Sequence, residues 1–175
     1  NTYHGFYVAR YEAGLTTATT SQSASTNNNA NTTAVSKEGT KIWNWIDYNN
    51  ANTVAKAMIN NTATYGTTKS GLVTGTQWDT IMKWYQTSNI KVDNSQDWGT
   101  YRNLTYSGNG KYFKYTNSGA DASWSEGAFT RTGNSTNPSY PYYYHASGLN
   151  TNGIKKNIAD LGGNMWEWTA EIYST

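Results

Sequence analysis

The chain has 175 residues, enough to bury a substantial core in one domain. Its 13 basic and 11 acidic residues give a net charge of +2, and the basic ones are scattered, so it lacks the electrostatic footprint of a nucleic-acid binder. No apolar run approaches the roughly 20 residues of a membrane span, which argues against membrane insertion, and zero cysteines exclude disulfides, thiol catalysis and thiolate metal sites.

Aromatic residues make up 15% of the chain against 14% charged, with 15 Tyr and 8 Trp beside 22 Asn and 27 Thr. Tyr and Trp offer large contact area at low rotamer cost, and Asn, Ser and Thr supply adaptable hydrogen bonds. That surface suits an extracellular, cell-surface or virion protein. Drift in an AT-rich genome enriches Asn and Tyr as well.

In chain order, "GFYVARYEAG" (5–14) reads as a strand closed by Gly14. Residues 15–34 are of low complexity and read as a surface loop, because they hold too little apolar surface to offset their ordering entropy. Residues 34–47 return to the fold with Trp43 and Trp45. Asp47 then caps a helix whose Ala51, Val54, Ala55 and Met58 share one face. A second helix opens on a capping box, Thr74 with Gln77, and carries Trp78, Ile81, Met82 and Tyr85 as a core stripe.

The following region, rich in Gly, Asn and Tyr, predicts short strands and long loops. The expected fold class is α+β in a single domain over 1–175. "NPSYPYYYHASG" (137–148) is the best candidate contact surface. Tyr140, Tyr142, Tyr143, Tyr144 and His145 cannot all face one core, since alternate residues of an extended segment point opposite ways. Packing over the preceding loops is the competing reading. Trp98, Tyr101 and Trp124 extend the same candidate face.

"NIADLGGNMWEWTAE" (157–171) is the densest pattern in the chain. Gly162 and Gly163 allow a backbone path closed to residues with a Cβ. Trp166 and Trp168 alternate, so on a strand they share a face, and Trp78 and Trp166 are expected core anchors. Asn164 and Glu167 are hard oxygen ligands for a cation, or else groups that only bond the turn's own N–H donors. No G-x-S-x-G elbow is present, and two histidines are too few for a histidine-held iron.

This stretch resembles the glycine- and tryptophan-rich signature of the formylglycine-generating-enzyme-like family, whose domains have a variant of the C-type lectin fold. "GFYVARYEAG", "NNANTVAKAM" and "GLVTGTQWDTIMKW" resemble three further family segments, in the right order. With "VSKEG" and "TGTQWD" the chain is most similar to surface and prophage members from Firmicutes. Variable proteins of diversity-generating retroelements share the fold. The resemblance implies a structural calcium at the Asn164–Glu167 loop. The family's copper-binding cysteine pair is missing, so no catalytic residue and no catalytic cofactor are assigned.

The family also continues past this signature into further strands, whereas this sequence stops at "EIYST". The expectation is therefore a fragment lacking those C-terminal strands, with a sheet edge that another chain could complete. The function expected is non-enzymatic: binding of a protein or carbohydrate on a target surface. Two alternatives are a structural subunit of a virion or surface filament, and a degenerate formylglycine-generating-type oxidase.

Overall fold

A computed structural model describes residues 5–15, 27–59, 66–101, 105–115, 124–131, 142–165 and 167–171. Helices form where the local signals are strongest. Helix α1, Tyr48–Ala57, starts at Asp47, whose carboxylate accepts the Asn50 N–H at 2.9 Å. Its Ala51 and Val54 are buried and Met58 packs beside them. Helix α2, Gly75–Thr87, has both halves of the capping box: Thr74 Oγ1 accepts Gln77 N at 3.2 Å, and Gln77 Oε1 accepts Thr74 N at 2.9 Å. Ile81 and Tyr85 are its buried residues.

The strands fall into three small antiparallel sheets. β1, Ala13–Leu15, pairs with β2, Ala34–Ser36. β3, Tyr106–Tyr115, is the centre of a three-stranded sheet between β4, Ser125–Arg131, and β5, Tyr142–His145. β6, Ile154–Lys155, and β7, Ile158–Ala159, form a hairpin whose turn residues Lys156 and Asn157 both have positive φ, 49° and 65°. The chain is a mixed α+β protein, with two helices and several short strands among the described residues.

The expected strand over 5–14 is shortened to its end. Residues 5–9 make no hydrogen bond among the described residues, and the first backbone bond of this segment is from Ala159 N to Arg10 O, 2.8 Å. The β-forming composition is present, but no described residue pairs with it. The expected loop at 15–34 also contracts, since Leu15 ends β1 and Ala34 begins β2. Asn27 is buried and its carbonyl accepts the Trp43 indole N–H at 2.9 Å. Residues 16–26 lie outside those described.

Two apolar clusters hold the elements together. One joins Leu15, Ala34, Trp43 and Val54, and so ties α1 to the first sheet. The other joins Ile81 and Tyr85 of α2 to Trp98 and Ile158, with Val8, Trp78 and Leu161 packed against it. Trp98, 4% exposed, is the buried tryptophan here, and its ring meets Tyr85 edge-on at 5.9 Å. Trp78 is only half-buried, which corrects its expected role as the anchor, and Trp166 lies outside the described residues.

Residues 167–171 form no strand, contrary to expectation. They cross the starts of both helices instead. Trp168 donates its indole N–H to Ile46 O at 2.8 Å and meets Tyr48 edge-on, leaving 47% of the residue exposed. Ala170 N bonds Val73 O at 2.9 Å, and the Glu171 carboxylate accepts the Gly75 N–H. A carboxylate there sits favourably against the positive end of the α2 dipole.

Candidate functional site

The glycine-rich turn builds a buried polar centre. Asp160, Gly163 and Asn164 all have positive φ, 55°, 86° and 57°, a backbone region open to Gly and tolerated by Asp and Asn. This path brings the turn against Thr100: Thr100 N bonds Gly162 O at 2.7 Å, and Asn164 N bonds Thr100 O at 2.6 Å. A Cβ on Gly163 would lie 2.2 Å from Thr100 O, and one on Gly162 would lie 2.8 Å from the Tyr101 hydroxyl. Gly163 thus follows the special backbone path that the pattern suggested and is also crowded by Thr100 backbone, whereas Gly162 has no positive φ and is crowded only by the Tyr101 and Trp98 side chains.

Asp160 is the hub. Its carboxylate accepts Thr100 Oγ1 at 2.7 Å, Gly148 N at 2.9 Å and Ser147 Oγ at 3.4 Å. Asn150 Nδ2 in turn donates to Thr100 Oγ1 at 3.0 Å. The Ser147 hydroxyl also accepts Glu12 N at 2.9 Å, so donor and acceptor are both engaged and the group acts as a cross-link. Sequence reasoning missed this hub. The available signal was an acid between the apolar residues Ala159 and Leu161, opening a turn.

Two more carboxyls approach Asp160. Burial, then the charges of Asp160 and Glu167, push the Glu12 carboxyl well above the usual range, against the pull of its Asn164 bond. The buried Glu12 carboxyl accepts Asn164 Nδ2 at 2.8 Å through Oε2, and the Met165 backbone N–H pulls in the same direction as that bond. Glu167 is exposed as a residue, yet the protein around its carboxyl, and next Asp160, push it up to about 8.

Asn164 does not offer an oxygen to this cluster. Its Oδ1 accepts the His145 N–H at 3.2 Å, which fixes the amide orientation, because a backbone N–H can only donate. Its Nδ2 then faces Glu12 and the His145 carbonyl, at 2.8 and 2.9 Å. The carboxyls therefore meet an N–H donor where a cation site needs another oxygen. No group of three or more metal-ligating side chains occurs among the described residues. The Asn164 side-chain oxygen, taken by the His145 N–H, is therefore not presented to the calcium that the family resemblance implies.

The candidate contact residues separate. His145 is fully buried, with its ring 6.1 Å from and nearly parallel to Phe129 and its Nδ1 2.8 Å from Ala146 O. Trp98 is buried in the α2 cluster. Neither presents a surface, because each fills a site that apolar packing needs. Tyr144, Tyr101 and Trp124 are half-buried. Tyr142 and Tyr143 lie on β5, in register with Tyr115 and Lys114, while Tyr140 is outside the described residues. Among the described residues, the large hydrophobic side chains that are exposed are Phe6, Tyr7, Trp45, Trp84 and Trp168.

No family model matches the chain, and comparison with curated proteins and with solved structures gives no match either.

The raised carboxyls set a pH dependence. A carboxyl with a higher pKa in the folded state makes the native protein bind more protons than the unfolded chain, so stability falls as pH rises through that window. The window runs from the unfolded value near 4.5 up to about 8 for Glu167, and Glu12 shifts in the same direction. Glu12→Gln keeps an acceptor for Asn164 and removes one charge. Urea denaturation at a series of pH values should therefore show a flatter decline for the variant than for the parent. Identical slopes would mean that Glu12 does not titrate in this window.

Proposed function

We propose that this chain is a non-enzymatic binding domain with the C-type-lectin-like, formylglycine-generating-enzyme-like fold, displayed on a bacterial or phage surface. The observation that carries the reading is the division of its side chains. The polar groups of the glycine-rich turn are spent on one another and on backbone, while Phe6, Tyr7, Trp45, Trp84 and Trp168 stand exposed. Aromatic residues left at a surface are the usual anchors of contact with protein or carbohydrate. The half-buried Tyr144, Tyr101 and Trp124 remain candidates for the contact face, with Tyr142 and Tyr143 of β5 beside them.

The reading separates from its two rivals in one set of measurements on the purified protein. Elemental analysis should find neither copper nor iron in stoichiometric amount, and light scattering should give a monomer mass. Stoichiometric copper with oxygen uptake on a thiol-containing peptide would establish the oxidase reading instead. A defined, concentration-independent oligomer would favour a structural subunit. Thermal melts with calcium and with a chelator should coincide, because the Asn164 amide oxygen is taken by the His145 N–H and only its N–H donor faces the Glu12 carboxyl.

A further inference from the structure

We propose that the groove between residues 5–8, helix α2 and the β6–β7 turn binds an extended acidic peptide, which joins the protein as an added strand. This surface contains none of the β5 tyrosines, so the proposal stands apart from the contact face above.

The backbone is the first reason to expect a peptide. Residues 5–9 have the composition of a strand, and Tyr7 is 98% exposed while the next side chain, Val8, packs against the α2 cluster. None of their N–H and C=O groups is hydrogen-bonded among the described residues. A row of open backbone groups on a β-forming segment is a template for another strand, whose main chain supplies the bonds and whose alternate side chains fill adjacent pockets.

Such a pocket lies beside it. The groove has a volume of about 580 Å³, with Ile81, Trp84 and Ile158 opposite Phe6 and Val8. That is within the ordinary range of ligand sites, and its walls favour apolar side chains.

The charge at its lip selects the partner. Arg10 and Lys156 line the groove, and no carboxylate does among the described residues. The Arg10 guanidinium lies 5.2 Å from the centre of the Tyr11 ring. Lys156 sits at φ 49° in a two-residue hairpin turn, where Asn, Asp or Gly is the unstrained choice. Backbone strain at a ligand-facing position is a pointer to function. An incoming strand with alternate apolar residues and a carboxylate near its end satisfies backbone, groove and charge together.

The test uses the full chain and a fluorescein-labelled nonapeptide, EVTVTVTEE, followed by anisotropy and by hydrogen exchange of the protein's amides. Binding should protect amides within residues 5–9. Reversing both charges (Arg10→Glu with Lys156→Glu) should weaken it about tenfold, since two surface ion pairs give this order of effect. A charge reversal on helix α1 away from the groove, Lys56→Glu, should leave it unchanged. Both reversed residues are exposed, and a thermal melt establishes that the variant is folded. Equal binding of KVTVTVTKK, no binding of either peptide, or binding without protection at 5–9 would overturn the proposal. So would protection of 5–9 that appears without peptide as protein concentration rises, because the strand would then come from a second copy.

Discussion

Trp98→Ala is expected to destabilise the protein by about 3–5 kcal/mol, the cost of truncating a large buried aromatic. Its ring joins Tyr85 of α2, Trp78 and the Ile158 strand, so its loss opens a cavity where helix, loop and hairpin converge. The Trp98 indole N–H is buried without an acceptor, and such a donor carries a penalty of about 1–3 kcal/mol. Trp98→Phe removes that donor and keeps an aromatic ring, so it should cost clearly less than Trp98→Ala. Denaturant midpoints for both variants provide the measurement. An alanine variant within about 1 kcal/mol of the parent, as surface sites are, would contradict this assignment of the core.

Gly163→Ala is the second large effect. The residue has φ 86°, and the added Cβ would meet Thr100 O, C and N at 2.2, 2.5 and 3.0 Å. These are backbone atoms in a segment held from both sides by bonds to Gly162 and Asn164, so neither rotamer change nor small shifts relieve the clash. Backbone strain and overpacking together should cost about 3 kcal/mol or more. Gly39→Ala is the matched control, since Gly39 has φ 68° but open space around its Cβ position. Its cost should be near 1 kcal/mol, the left-handed penalty alone. Equal losses in the two variants, measured by thermal or urea unfolding, would show that conformation and not contact sets the requirement at Gly163.

What was legible in the sequence follows the range of the interactions. Asp47 and the Thr74–Gln77 box act within four residues, and both caps form as read. The need for glycine at 163 was legible for the same reason, because its positive φ is a property of one residue, whereas the crowding of 162 and 163 by Tyr101 and Thr100 comes from a distant segment. Which aromatic is buried depends on distant partners. Trp98 is enclosed by α2 and Ile158, and His145 by Phe129 and Asn164, and nothing near either position in the chain announces it. Residues 5–9 carry β-forming side chains, but pairing needs a neighbour that composition cannot supply. The Asp160 hub was illegible in the same way, since Thr100, Ser147, Gly148 and Asn164 converge only in space.

The span of that hub has a consequence for how the chain reaches its native state. Glu12 bonds Ser147 across 135 positions and Asn164 across 152, and Asp160 bonds Thr100 across 60. Contacts this distant in sequence carry a large loop-closure cost and are made slowly. During synthesis, β1 and β2 can pair and α1 can form on the ribosome while Glu12 has no partner at all. The polar centre closes only once residue 164 has emerged, so the segment that locks Glu12 beside β1 is made long after β1 itself.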